Sequence, residues 1–160
     1  MIVTIEWLRA AGVRALGTFA ASFFDGMDTS NPEHIQRART TGLDMRWLAE
    51  NLPVEGLVDW APTHPDWIVR WTAARRLPVE QIGWAPTDRE WLVRCVAVIR
   101  LPVEQIGWGP GDPDPHIRCV SAERLPVELL DWALTDPNPS VRTVARARRR
   151  AHSITKPDAT

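Results

Sequence analysis

From residue 52 onward, two hydrophobic textures alternate along the chain. A short stretch, LPVE followed by apolar residues and a tryptophan, gives way to a turn and then to a longer segment with helical spacing. In that segment Val69, Thr72, Ala73, Arg76 and Leu77 share one face, and Val93, Val96, Ala97, Arg100 and Leu101 reproduce it. Intervals of three and four residues predict an α-helix, not strand alternation. Leu52, Leu77, Leu101 and Leu125 open four near-copies, and Trp60, Trp84, Trp108 and Trp132 recur every 24 residues, as do Arg70, Arg94, Arg118 and Arg142. Such a period marks a solenoid, in which each unit buries its apolar face only against its neighbours. The predicted fold is an all-α solenoid of about four repeats of 24 residues, each a short or 3₁₀ helix followed by a longer α-helix.

Pro53, Pro78, Pro102 and Pro126 suit the first position of the short element, with Glu next to the positive helix end. Pro62, Pro86 and Pro110 are read as its stop. The longer element is predicted to start at THPD, TDRE, GDPD or TDPN. There Asp112-Pro113 and Asp136-Pro137 read as cap plus first-turn proline, and Thr87 with Glu90 as a capping box. Ala73, Ala97, Ser121 and Ala145 form a small slot that suits close approach of neighbouring helices. Ahead of the repeats, residues 1–30 read as an apolar helix over 4–24 and a turn over 25–32, and residues 31–51 as a cap of two short helices. Residues 52–150 hold the repeats, and 151–160 form a polar tail.

Composition narrows the function classes. The formal charge of −1 provides no global field for nucleic acid or anionic membrane. Lysine occurs once, at Lys156, and the arginine excess reads as coding bias. Cys95 and Cys119 occupy the same slot in adjacent copies, too far apart for a disulfide, which suggests free thiols in a reducing, cytoplasmic setting. Residues 2–24 are interrupted by Glu6, Arg9 and Arg14 and do not read as a signal peptide. His34, His64, His116 and His152 lack ligand spacing, and neither a phosphate loop nor a nucleophile elbow is present, so no metal, cofactor or catalytic set is assigned and no enzyme is expected.

The segment LPVELLDWALTDPNPSVRTVAR resembles the leucine-rich repeat variant, and its DPxxxVRxxxA portion is similar to HEAT repeats. The resemblance covers residues 52–150. It implies alternating 3₁₀ and α-helices in a right-handed stack and is nearly silent on function. That family is also known for an N-terminal cysteine cluster holding an iron–sulfur centre. This chain has no such cluster, so the cofactor is not carried over.

Four constellations are candidate sites. Arg70, Arg94, Arg118 and Arg142 each follow His64, Asp88, Asp112 or Asp136 by six residues, which suggests an Asp–Arg ladder along the stack, broken at His64. Arg76, Arg100, Arg124 and Arg148 are expected to lay their stems along the core and reach carbonyls or solvent. The Trp60, Trp84, Trp108 and Trp132 column is read as core. Opposite the core face lie Trp67, Trp71 and Ala74, then Trp91, Cys95 and Val98, then Pro115, Cys119 and Ala122, then Pro139, Thr143 and Arg146. This face is either a contact surface or covered by residues 4–24. The preferred function is a binding module for a protein or peptide, docking an apolar anchor on Trp67, Trp71 and Trp91 with Arg70, Arg75 and Arg94 around it. The alternatives are nucleic-acid binding through the arginine columns and the basic end RTVARARRR, and membrane association through residues 2–24, which weakly resemble the first amphipathic segment of some phage holins.

Overall fold

The computed structural model describes residues 1–11 and 26–155. It comprises two compact units, Met1–Ile82 and Gly83–Thr160, both built from helical repeats.

The Met1–Ile82 unit opens with a feature absent from the sequence reading. Strand β1 (Ile2–Val3) pairs antiparallel with β2 (Met27–Asp28), Ile2 opposite Asp28 and Val3 opposite Met27, within the segment expected to be a turn. Gly26, just before β2, has φ +84°, and a Cβ there would stand 2.7 Å from Ile2 Cγ2, so only glycine fits. Of the helix expected over 4–24, α1 (Ile5–Ala10) is described, capped by the Thr4 hydroxyl accepting from the Trp7 N–H; the remainder lies outside the described residues. Val3 and Met27 of the strand pair and Leu8 of α1 are buried. Two short helices follow. In α2 (Pro32–Thr40) Asn31 is the cap and Pro32 sits in the first turn, and in α3 (Met45–Asn51) the Asp44 carboxylate accepts from the Arg46 and Trp47 N–H groups. Trp7 meets Trp47 edge-on with ring centroids 6.2 Å apart. The first repeat then runs through 3₁₀ turns at Val54–Gly56 and Ala61–Thr63 into α4 (Trp67–Arg76), which packs on α3, and a 3₁₀ turn at Val79–Gln81 begins the next.

The Gly83–Thr160 unit continues with a 3₁₀ turn at Ala85–Thr87 and α5 (Trp91–Arg100). Turns at Val103–Gln105 and Gly109–Gly111 lead to α6 (Pro115–Arg124). A turn at Val127–Leu129 and a short α7 (Asp131–Leu134) lead to α8 (Pro139–Thr155), which extends into the stretch read as a tail. Helix α5 packs on α6, and α6 on α8.

Local chemistry corrects three expectations. Pro53, Pro78, Pro102 and Pro126 are caps with ψ of 144–150°, ahead of the first 3₁₀ turn, not inside it. Pro62, Pro86 and Pro110 do not stop the short element; each sits at the start of a second 3₁₀ turn, and where Leu134 replaces proline the turn is α-helical. The long helices begin later than the DP motifs suggest. Their N-caps are Asp66, Glu90 and Asp114, and the Asn138 side chain accepts from the Ser140 N–H at the start of α8. The Thr87 hydroxyl donates to the Trp84 carbonyl and forms no capping box.

The core slot is also not the tryptophan column. Leu57, Ile82, Ile106 and Leu130 are fully buried, whereas Trp84, Trp108 and Trp132 are half-buried. Trp60 is the exception, at 5% exposure, with its indole N–H donating to the Gly56 carbonyl at 2.6 Å. The first copy carries an extra residue between Leu57 and its tryptophan, which brings the ring round to that carbonyl.

The small slot is confirmed as buried, but its close neighbour is a 3₁₀ turn. A Cβ added at Gly109 would stand 1.9 Å from Ser121 Oγ and 3.3 Å from Val98 Cγ2. Other copies pair Ala61 with Ala73, Ala85 with Ala97 and Ala133 with Ala145; here glycine faces serine, so the summed volume is held.

Candidate functional site

The arginine ladder is built from one turn. After the second 3₁₀ turn the chain becomes extended at Asp112, whose Oδ1 accepts from the Asp114 N–H at 2.8 Å, and Asp136 does the same for Asn138 at 2.8 Å. These carboxylates close the turn ahead of the helix instead of capping the helix. Their other lone pairs face the preceding helix. Arg94 donates from Nε to Asp112 Oδ2 at 2.7 Å and from Nη2 to Oδ1 at 2.9 Å, and its Nη1 donates to the Asp88 carbonyl at 2.9 Å and the Arg89 carbonyl at 3.2 Å. Arg118 repeats this on Asp136 at 2.7 and 3.1 Å, with Nη1 on the Asp112 and Pro113 carbonyls. Arg142 holds the Asp136 and Pro137 carbonyls at 2.7 and 2.9 Å. Arg94 and Arg118 thus each join their own turn to the next repeat's carboxylate. The pairs are sequestered: the Arg94 and Asp112 side chains are 11% and 3% exposed. The Arg118 hydrogen bonds hold the Asp136 carboxyl below the usual range, with burial opposing.

The second column points the other way. Arg76 donates to the Ala49 carbonyl and, at 2.7 Å, to the Leu52 carbonyl. Arg124 donates to the Val98 and Leu101 carbonyls, and Arg148 to those of Ala122 and Leu125. These are the last carbonyls of the preceding helix, which lack intrahelical partners. The sequence reading of stems reaching carbonyls holds at Arg76, Arg124 and Arg148. A lysine ammonium cannot span two carbonyls and a carboxylate with one planar fork.

At His64 the ladder changes chemistry. His64 is 7% exposed, and its Nδ1 accepts from the Asp66 N–H at 3.1 Å, the bond that aspartate makes in other copies. Arg46, from α3, passes it by and pairs with Asp66 at 2.6 Å. Arg70 is 5% exposed and donates to the His64 and Pro65 carbonyls at 2.8 and 3.0 Å. Two clefts, of about 320 and 380 Å³, share Arg39, His64 and Pro65 in their walls. Sequence reasoning noted the histidine as a break in the ladder but missed Arg39 altogether, because that residue lies outside the repeats.

The proposed aromatic face is only partly a face. Ala74, Val98 and Ala122 are fully buried, so its C-terminal end is core. Trp67 and Trp71 are half-buried on α4, one turn apart, and the exposed Arg75 guanidinium lies 4.4 Å above the Trp71 ring. In the other unit Trp91 is half-buried and stacked by His116, centroids 5.1 Å apart, and His116 Nδ1 lies 3.0 Å from Asp114. Of the three arginines placed around the tryptophans, Arg75 alone presents its guanidinium at the surface; Arg70 and Arg94 hold the turn and ladder contacts given above. Cys95 and Cys119 are free thiols, both pushed up in pKa by burial, and two such groups do not match the ligand demand of an iron–sulfur cluster. Among the described residues no group of three His, Cys, Asp or Glu side chains is placed to hold a metal ion, and no helix is long and apolar enough to cross a membrane.

No protein-family profile matches the chain, and no curated protein matches it. Among solved structures, the chain is similar to "a leucine-rich repeat variant with a novel repetitive protein structural motif", with a TM-score of 0.63 and 32% sequence identity. The similarity covers 78% of this chain and 57% of that one, so this chain spans little more than half the length of its relative. In fold, this chain is an all-α repeat solenoid of 3₁₀ and α-helices, similar to that leucine-rich repeat variant.

Proposed function

We propose that this chain is a non-enzymatic binding module that recognises a protein or peptide through the exposed edge of α4. The observation that carries the reading is Trp71 with the Arg75 guanidinium stacked on it and Trp67 one turn away. Half-buried indoles beside an unneutralised arginine suit an apolar side chain flanked by a carboxylate. On the other unit, Trp91 offers one ring face, the other being taken by His116. The cytoplasm, with its reducing conditions, suits the two free thiols. Membrane association would have to rest on residues 2–24, most of which lie outside the described residues.

The test is a native-lysate capture with mass spectrometry, using the full chain and a Trp67→Ala/Trp71→Ala variant. A variant that keeps its melting profile but loses the captured partner supports the reading. A variant that unfolds makes those indoles core and removes the site. The nucleic-acid alternative keeps one supporting observation, the exposed Arg146 and Arg150 on α8. Against it, the two arginine columns are turned onto carbonyls and carboxylates. In a mobility-shift titration at physiological salt, no binding tighter than about 10 μM is expected, and submicromolar binding would overturn the main reading.

A further inference from the structure

We propose that the His64 rung is a proton-operated catch: protonating its imidazole releases the turn ahead of α4 from α2 in the Met1–Ile82 unit, at a pH where the aspartate rungs of the other unit stay closed. Four observations carry this. His64 Nδ1 is an acceptor, because the Asp66 backbone N–H donates to it at 3.1 Å. The ring is therefore neutral, with its proton on Nε2, and Nε2 is buried with no partner among the described residues. A second proton can enter only at Nδ1, and doing so breaks the bond that closes the turn. The ring is 7% exposed and packs edge-on to Trp60, centroids 5.9 Å apart, so burial opposes the new charge.

The charges around the ring oppose the proton on balance. Arg39 from α2 and Arg70 from α4 stand against a second cation, and Asp66 favours it, but the Asp66 carboxylate is already paired with Arg46 at 2.6 Å. Asp59 lines one of the two clefts and Asp44 the other. Burial first, and then Arg39, lower the His64 pKa below the ordinary histidine value. Because the folded value lies below the unfolded one, the neutral ring's contribution is intact above about pH 6.5 and is lost as pH falls through the folded value. The cavity of about 320 Å³ is walled by Ile35, Gln36 and Arg39 of α2 on one side and Trp60, Thr63 and His64 on the other. Repulsion between the protonated ring and Arg39 acts across it, so this seam is where the unit opens. At the equivalent turns of the other unit, Asp112 and Asp136 accept the same kind of backbone bond with a carboxylate, and the Arg118 hydrogen bonds hold the Asp136 carboxyl below the ordinary carboxylate value. The inference needs only the Met1–Ile82 unit and is independent of the binding reading above.

The experiment is amide hydrogen exchange and imidazole NMR on the full chain between about pH 7.5 and 5, corrected for intrinsic exchange. Wild type, His64→Asn, His64→Asp and His34→Asn are compared. His34→Asn is the control because His34 Nδ1 also accepts a backbone N–H, from Asp28 at 3.0 Å. The expected result is that Asp66 amide protection falls with pH by about tenfold for each unit separating the folded and unfolded His64 pKa values. Asp114 and Asn138 should hold their protection, and His64→Asn and His64→Asp should abolish the pH response while His34→Asn keeps it. His64→Asp installs the residue that three other copies carry, so it folds by the same local chemistry. A His64 resonance titrating at or above about pH 6.5, or a response that survives His64→Asn or disappears in His34→Asn, overturns the proposal.

Discussion

In the Gly83–Thr160 unit, Asp112 closes its own turn with one oxygen and receives two donors from Arg94, and Asp136 is held in the same way by Arg118. In the Met1–Ile82 unit the corresponding slot holds His64, which closes the turn but has no acceptor left for an arginine. Arg46 accordingly goes to Asp66 instead, and a more exposed pair results: the Arg46 side chain is 53% exposed against 11% for Arg94. The lesson concerns what one side chain can do in a repeat. A carboxylate has enough lone pairs to terminate a turn and bind the neighbouring repeat, whereas an imidazole that terminates the turn can only present a donor. The repeated unit is stitched to its neighbour where the slot is aspartate, and where the slot is histidine the turn is closed by a ring that burial and Arg39 hold below the ordinary histidine pKa.

The comparison breaks most severely at Arg118. Arg118→Ala leaves the Asp136 carboxylate, whose side chain is 4% exposed, without its partner and frees two carbonyls. A loss of about 3 kcal/mol is expected by urea denaturation, and a much smaller one for Arg46→Ala, whose ion pair is exposed. Next in size is the packing pair. Gly109→Ala should destabilise by about 2 kcal/mol, because the new methyl collides with Ser121, and Gly109→Ala/Ser121→Ala should recover most of the loss by restoring the Ala–Ala arrangement of other copies. Acid separates the two kinds of rung. The Asp136 pKa is lowered, so its contribution is present above about pH 4 and disappears as pH falls through the depressed folded value. Asp136→Asn should therefore lower stability by a constant amount between about pH 5 and 7, and the gap to wild type should close as pH falls through the acid limb. The smallest effect is expected at the proposed contact. Arg75→Ala removes an exposed cation–π contact and should shift stability by about 0.5 kcal/mol, while weakening partner capture.

Much of the fold was legible because the same pattern is written four times. The period, the helical spacing of the core face and the division into short and long elements follow from Leu52, Leu77, Leu101 and Leu125 and the residues between them. The direction of both arginine columns was legible too, since an arginine beside buried carbonyls has few other options. The aspartates misled: Asp112-Pro113 has the residue types of a helix cap, but its carboxylate ends a turn, and the cap is Asp114. The tryptophans misled because recurrence marks equivalent environments, not burial, and a half-buried groove recurs as faithfully as a core. Strands of two residues carry no alternation, so β1 and β2 were illegible. For the candidate site, the spacing placed Trp67, Trp71 and Arg75 on one helix, where Arg75 stacks on Trp71, whereas it offered Arg94 both to the ladder and to the site, and only the bidentate bond to Asp112 assigns it to the ladder.

The central claim is that Arg94 and Arg118 bind repeat to repeat and are not a ligand surface. A double-mutant cycle at Arg94 and Asp112, using Arg94→Ala, Asp112→Ala and the double variant in urea denaturation, tests it most directly. The account predicts a coupling of at least about 1.5 kcal/mol, since the bond is bidentate and both side chains are largely buried. Additive single effects, with coupling within about 0.3 kcal/mol of zero, would contradict it.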